Sequence, residues 1–582
     1  MMHDGAERSV FCPSRRCVLI DSTMSLDAPN LSKRWIAMNR RPLSFGSCLL
    51  ALLALVAVCF PATANSADDV DVIVVASPGL DAALQPWIEM RSQEGLRIAT
   101  VRPANTATLT HQEIWNAGGA ATRYIVLIGD TPDFDTRRNQ SHQIPTWMIP
   151  APITSRFGST STLPTDLPYG DRDGDRVSDA AIGRLPIQSA EQLASVVQRI
   201  EAYENSDDFG LWRRSFQLTG GVGGFGAMVD TAIESVTRGV ITTVLPADAK
   251  PQIAYASPNH PFCPPGKSFT DAVLNRYRTG ARFWVYAGHG QIDRLELLQT
   301  TAADGTPAAR EQWSVESLLN NQNATQLKRA PNGATIAVLL ACFAGAYDAP
   351  GDCLAERMML ADGGPIAVIA SSRLSMPYGN ACMGLGLLQS VYSGGPQNTG
   401  CDRIGDAMLH AARSLQSQQQ AKQSTMRVMV DTLASMISPA GTDLQQERLE
   451  HAALYQLLGD PTLRLHPPQP LDLSIEPSEE DALAGETARS LSIAVTSPIA
   501  GTLIVAIERP LTAITQTPAD SPKDHDAHGT TITEHKIEVP AGKRILQTLQ
   551  LPLGESGPLI IRGFVHGKTG WASAAQRTFL PD

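Results

Sequence analysis

No run of lysine and arginine interrupts the body of this chain. With 47 basic against 58 acidic side chains and a net charge of -11, it carries no electrostatic footprint for nucleic acid. Long hydrophobic runs are missing too. The apolar stretch from Cys48 to Phe60 has 13 residues, short of the roughly 20 that a membrane-spanning helix needs. Cysteine is scarce, with nine residues in 582, so a dense disulfide scaffold is excluded. No internal repeat is present, which removes repeat arrays. What is left is an ordinary globular composition, 43% hydrophobic and 18% charged, in a chain too long for one core. Two or three domains are expected.

Residues 1–64 read as an N-terminal extension with a signal peptide at 38–64. Arg40 and Arg41 supply its positive start, Cys48–Phe60 its apolar centre, and Ala62-Thr63-Ala64 its cleavage site. Either translation starts at Met38, or the positive region is unusually long. The chain beyond residue 64 keeps 40 basic and 54 acidic side chains and five cysteines, Cys263, Cys342, Cys353, Cys382 and Cys401. An odd number in an exported protein leaves one thiol unpaired. One nucleophile plus up to two disulfides fits, with Cys353, Cys382 and Cys401 as the structural or paired cysteines.

From Val70 the pattern is strand, helix, strand, strand: Val70–Ala76, Leu80–Ser92, Leu96–Val101 and Tyr124–Gly129. This rhythm predicts a parallel sheet with helices on both faces. A polar loop is expected over Thr131–Pro168. Ser189–Asn205, Lys267–Arg278, Val315–Asn320, Asp352–Ala361, Met383–Tyr392 and Asp402–Ser438 read as helices. We divide this region at 65–205 and 206–466. After the proline-rich joint Pro467–Pro470 the hydrophobic period changes to two. Seven short strands over 471–582 predict an Ig-like β-sandwich, with a mobile insertion at Thr517–Ala527.

Two motifs need weighing. Asp171, Asp173, Asp175 and Asp179 are spaced like the early part of a calcium loop, with Gly174 at the bend. Ile182 stands where an EF-hand would place its bidentate glutamate, and an acidic solvated turn is the plainer reading. Gly221, Gly223 and Gly226 satisfy G-x-G-x-x-G between a strand and a helix. The preceding strand is short and no ribose-binding acid ends a following strand. A tight strand–helix turn is favoured over nucleotide binding.

The chemistry concentrates at two strand exits. Phe283-Trp-Val-Tyr-Ala-Gly ends on His289 and Gly290. Thr335-Ile-Ala-Val-Leu-Leu-Ala ends on Cys342 and runs into small residues. A thiol near its reference pKa of about 8.5 is mostly protonated at neutral pH. A nearby imidazole can take that proton and return it to a leaving amine. Parallel sheets present their sites at the carboxyl ends of strands, so the two side chains are expected to meet. The amides of Gly290 and Cys342 are candidate oxyanion donors.

These segments resemble the gingipain-type cysteine peptidases of the caspase-like superfamily. The likeness is carried by Tyr124-Ile-Val-Leu-Ile-Gly-Asp130, by Tyr169-Gly with Asp179-Ala-Ala-Ile-Gly-Arg184, and by Tyr286-Ala-Gly-His289-Gly290. It continues in Ala341-Cys342-Phe-Ala-Gly with Tyr347-Asp348, and in Leu458-Gly-Asp-Pro461. It runs collinearly over about residues 70–465. It implies a caspase-like α/β catalytic domain followed by an Ig-like domain, with Cys342 as nucleophile and His289 as general base. The acidic third member of that family maps to Asp179, a methylene shorter than the family's glutamate. The family's long propeptide has no counterpart, so latency is expected to lie elsewhere or to be absent. The acid that reads a basic side chain before the scissile bond has no secure match; Glu191 is only nearby. The resulting expectation is an exported endopeptidase, periplasmic or secreted, acting on proteins or peptides, with a preference for Arg or Lys. It needs no cofactor for catalysis, and Asp171, Asp173 and Asp175 are the candidate ligands should the acidic loop hold structural calcium. A non-catalytic adhesion or scaffold protein on a peptidase-like fold is the competing reading.

Overall fold

The computed structural model describes residues 70–581 apart from 133–141, 258–259, 265–267, 302–311, 329–334, 393–399, 418–423, 477–488, 516–525 and 553. The signal segment and most of the 517–527 insertion lie outside the described residues. The strands of the first part are β1 (Val72–Ala76), β2 (Ile98–Val101), β3 (Tyr124–Ile128), β4 (Trp147–Pro150) and β5 (Thr162–Thr165). Then come β6 (Ala181–Leu185), β7 (Ser215–Gly220), β8 (Lys250–Tyr255), β9 (Phe283–Ala287) and β10 (His289–Gln291). β11 (Arg294–Thr301), β12 (Gln312–Asn320), β13 (Ile336–Leu340), β14 (Ala367–Ser371) and β15 (Tyr455–Leu458) complete them.

Ten of these form one sheet in the order β2-β1-β3-β6-β15-β14-β13-β9-β7-β8. β1, β3, β9 and β14 are continuous apolar runs because helices cover both faces. The expected parallel sheet is corrected to a mixed one. β15 runs antiparallel to β14 and joins β6 in the parallel sense through the single pair Leu458 and Arg184. The parallel half β2-β1-β3-β6 therefore runs opposite to the parallel half β14-β13-β9-β7-β8. The expected division at residue 205 does not separate two cores, since one apolar cluster runs from Val72 to Leu465. The Leu458-Gly-Asp-Pro461 turn is the seam. Asp460 accepts from Trp87 Nε1 at 2.6 Å and from Arg91 at 2.8 Å. A Cβ on Gly183 would stand 2.4 Å from the Gly459 carbonyl, so only glycine lets β6 reach that turn.

Covering helices follow the predicted pattern. Ala190–Glu204 starts at Ser189, whose hydroxyl accepts from the Gln192 amide, and buries Leu193, Val196, Val197 and Ile200. Within Asp402–Ser438 the described residues form two helices, Ile404–Gln416 and Thr425–Ile437. The loop over 131–168 contains the β4–β5 hairpin, and β8 is an unpredicted strand. Val315–Asn320 is strand rather than helix. Leu295 pairs with Leu319 and Glu296 with Ser317, so Leu318 is the extra residue of a bulge. The bulge buries Leu318 and Leu319 together while Val315 stays exposed, so the helix-like spacing of these three residues in the sequence marks no helical face.

Beyond Pro467 lie β16 (Gln469–Pro470), β17 (Asp472–Glu476), β18 (Arg489–Thr496), β19 (Gly501–Glu508), β20 (Thr531–Val539), β21 (Arg544–Leu551), β22 (Gly557–His566) and β23 (Trp571–Leu580). They make sheets β16-β23-β22-β19-β20 and β17-β18-β21, which share one apolar core. All seven expected strands are present. No described helix is long and apolar enough to cross a membrane.

Candidate active site

β9 and β13 are parallel neighbours, with Ala287 opposite Leu340. His289 and Cys342 each lie two residues past that pair, so the sheet brings the two exits side by side. The Gly288 amide donates to the Leu340 carbonyl at 3.2 Å. β10 then folds over the Cys342 turn. A Cβ on Gly290 would stand 2.8 Å from the Cys342 carbonyl and 3.0 Å from the Ala341 side chain. Glycine at 290 is therefore a packing requirement of the site.

After Cys342 the backbone reverses sharply. Phe343 has φ 58°, the left-handed region that non-glycine residues rarely occupy. The Phe343 amide donates to the Arg373 carbonyl, and the Gly345 amide to Ser371. Arg373 clasps Asp348 with two hydrogen bonds of 2.7 and 2.5 Å. The Cys342 amide donates to no backbone carbonyl among the described residues. Its sulfur lies against Ser375, accepting from the Ser375 amide at 3.4 Å and donating to the Ser375 carbonyl at 3.5 Å. Burial pushes the thiol pKa up, while the Ser375 hydrogen bonds act in the opposite direction.

His289 is half-buried. Its Nε2 is 2.6 Å from the Gly223 carbonyl. A carbonyl only accepts, so Nε2 carries the proton and Nδ1 keeps its lone pair. Phe225 packs on the imidazole at 5.2 Å between ring centres. Gly223 and Phe225 belong to the glycine loop after β7. Its Gly221 amide donates to the Ala287 carbonyl. The G-x-G-x-x-G motif thus closes over the histidine as a strand–helix turn. Neither hydrogen bonds nor ion pairs link the imidazole directly to the thiol in this arrangement.

Among the described residues no hydrogen bond or ion pair joins His289 to Asp179. Its carboxylate accepts from the Arg172 amide at 3.0 Å, and its carbonyl accepts from Arg413. The residue precedes β6 in the acidic loop and is held there. Asp171, Asp173 and Asp179 each offer a carboxylate oxygen within 4.8 Å of the others. Asp175 is outside this trio, its Oδ1 accepting from the Val177 amide. The carboxylates that lie together are thus Asp171, Asp173 and Asp179, rather than the expected Asp171, Asp173 and Asp175. Exposed carboxylates of this kind suit a hard cation. Glu191 is exposed in the first turn of its helix.

Sequence reasoning missed Phe225 and Ser375, and it placed Gly223 in a strand–helix turn without joining it to His289. A backbone carbonyl leaves no side-chain signature, although the glycine run marked the loop. All five described cysteines are free thiols, so of the two roles left open for Cys353, Cys382 and Cys401, structural or paired, no pairing is seen. Cys353 and Cys382 are fully buried in the core.

The sequence matches no curated protein. Among solved structures it is similar to the Arg specific cysteine proteinase gingipain R, at 17% identity and TM-score 0.48, covering 88% of this chain and 98% of that one. A complex of RgpB pro- and mature domains from Porphyromonas gingivalis gives 15% identity and TM-score 0.48, covering 88% and 100%. A model of peptidase family C25 matches residues 65–466, well over half of the sequence, and the chain belongs to that family of cysteine peptidases.

Proposed function

We propose that this chain is an exported cysteine endopeptidase in which Cys342 is the nucleophile and His289 the general base. The observation that carries the reading is the His289 Nε2 contact with the Gly223 carbonyl. It leaves Nδ1 as the only ring atom able to take a proton. Cys342 Sγ attacks the scissile carbonyl as its proton passes to Nδ1. The carbonyl oxygen becomes an oxyanion between the Gly290 and Cys342 amides. The peptide bond breaks as Nδ1 returns the proton to the leaving amine. Water then attacks the thioester, giving its proton to the same nitrogen, and releases the acid and the thiol. The substrates are proteins or peptides.

Cleavage after Arg or Lys is part of the proposal and rests on the family likeness. The nearby acids Asp348 and Glu296 already hold Arg373 and Arg294, so a basic side chain would compete with an internal arginine. The C-terminal pair of sheets is proposed as Ig-like, and residues 38–64 as the export signal. Calcium is proposed at Asp171, Asp173 and Asp179. Chelation should lower the melting temperature, and no shift on returning low micromolar calcium removes the ion from the proposal.

The test is casein hydrolysis by the wild type, Cys342→Ala and His289→Ala. Loss in both variants with intact folding is the expected result. Robust turnover by Cys342→Ala would overturn the assignment. Labelling by thiol-reactive peptidyl probes ending in Arg, Lys or an apolar residue then reads the preference.

A further inference from the structure

The sulfur of Cys342 rests on a segment that is itself held from below. Ser375 is 6% exposed. It meets the sulfur three times, through its amide at 3.4 Å, its carbonyl at 3.5 Å and its hydroxyl at 3.9 Å. The next residue, Met376, donates its amide to Nε2 of His451 at 2.8 Å. His451 lies on the helix Leu444–Leu454 and is fully buried. Its Nδ1 is 2.8 Å from the Glu447 carbonyl. An amide only donates and a carbonyl only accepts, so Nδ1 carries the proton and Nε2 accepts. Both ring nitrogens are used by the neutral ring, and burial holds its pKa down to about 4. Three residues on, the Gly379 amide donates to Glu447 Oε1 at 3.1 Å. A Cβ on Gly379 would stand 2.2 Å from the imidazole. The start of the helix Pro377–Tyr392 is therefore shaped around this histidine.

We propose that His451 is a positioning residue for the nucleophile: through the Met376 amide it holds Ser375 against the Cys342 sulfur. The proposal rests on Cys342 being the attacking group. A buried histidine with both nitrogens bonded is often only a core residue. Here one of its two bonds goes to the residue adjoining the sulfur's own contact. When the thiol proton leaves, the Ser375 amide and hydroxyl remain as donors to the thiolate and favour it. If the segment drifts, those donors are lost and the sulfur is no longer aligned for attack.

The experiment uses the full chain with His451→Leu, His451→Gln and Ser375→Ala. Two quantities are read: kcat and KM on a casein peptide, and the rate at which iodoacetamide alkylates Cys342 at pH 7, located by peptide mass mapping. In His451→Leu, kcat should fall about 10- to 100-fold with KM nearly unchanged. Alkylation should slow about fivefold. His451→Gln keeps an acceptor for the Met376 amide and should return both most of the way. Wild-type kcat and alkylation in a folded His451→Leu, or equal losses in the Leu and Gln variants, would overturn the proposal. If His451→Leu does not fold, Ser375→Ala decides: alkylation slowed about threefold supports the cradle, and an unchanged rate overturns it. A wild type that cleaves no casein, yet shows His451-dependent alkylation, would sink the peptidase reading and leave the cradle standing.

Discussion

At the scale of single residues, the nearness of His289 and Cys342 was legible because each ends an apolar strand in a small-residue frame. Their register on β9 and β13 confirms that the two exits are neighbours. The partner of His289 was not legible. The expected acid, Asp179, is held by its own loop, and the hydrogen bond of the imidazole goes to a backbone carbonyl instead. Glu447 gives a prediction at this scale. Burial raises its pKa to about 7, above its ordinary value near 4.3 in an unfolded chain. Stability linked to this group is therefore complete below about pH 4 and is lost as pH rises through about 7. Glu447→Gln keeps an oxygen acceptor for the Gly379 amide and removes the buried charge. It should stabilise the protein by about 1–3 kcal/mol at pH 8 and by almost nothing at pH 4. Urea denaturation at the two pH values reads the difference, and an equal shift at both would refute the buried-charge account.

Among elements, the long periodic segments were legible and the short strands around the site were not. β10 has three residues, too few for a period. β12 imitates a helix because its bulge turns Leu318 and Leu319 inward together. β15 could not be assigned a direction, since its order in the sheet depends on where the chain returns. The contact of β10 with the Cys342 turn is testable. Gly290→Ala places a methyl group against the Cys342 carbonyl, 2.8 Å away. The turn must shift by several tenths of an ångström, and kcat/KM should fall about 100-fold. Melting temperature should fall by only a few degrees, since β10 lies outside the ten-stranded sheet. An active Gly290→Ala enzyme would show that the turn tolerates displacement.

For the whole molecule, the change of period after Pro467 located the second unit but not its attachment. Beyond the proline-rich joint, the structure welds this unit to the edge of the ten-stranded sheet. β8 is the last strand of that sheet, and an edge strand must be covered or paired. His528 accepts from the Ile253 amide of β8 at 2.8 Å. Lys250, also on β8, reaches Glu508 at 2.7 Å, Asp526 at 3.0 Å and the Thr530 hydroxyl at 2.8 Å, with little solvent access. Arg562 binds the same Glu508 and also the Ala247 carbonyl. Asp526 belongs to the end of the stretch expected to be mobile and His528 follows it directly, so the chain is anchored where it rejoins β20. Lys250→Met removes one cation and leaves Glu508 and Asp526 short of a partner in a buried place. Breaking such a group from one side costs about 3–5 kcal/mol. The exposed Lys543→Met should change stability by about 0.5 kcal/mol or less. Since β8 belongs to the catalytic sheet, the Lys250 loss should appear in both units together. Tryptophans report both sides, Trp284 on β9 and Trp571 on β23. Fluorescence of variants keeping one or the other should give coincident urea transitions, both moved to lower urea by Lys250→Met. A shift confined to the Trp571 signal would mean that the second unit unfolds alone and that the joint is a tether after all.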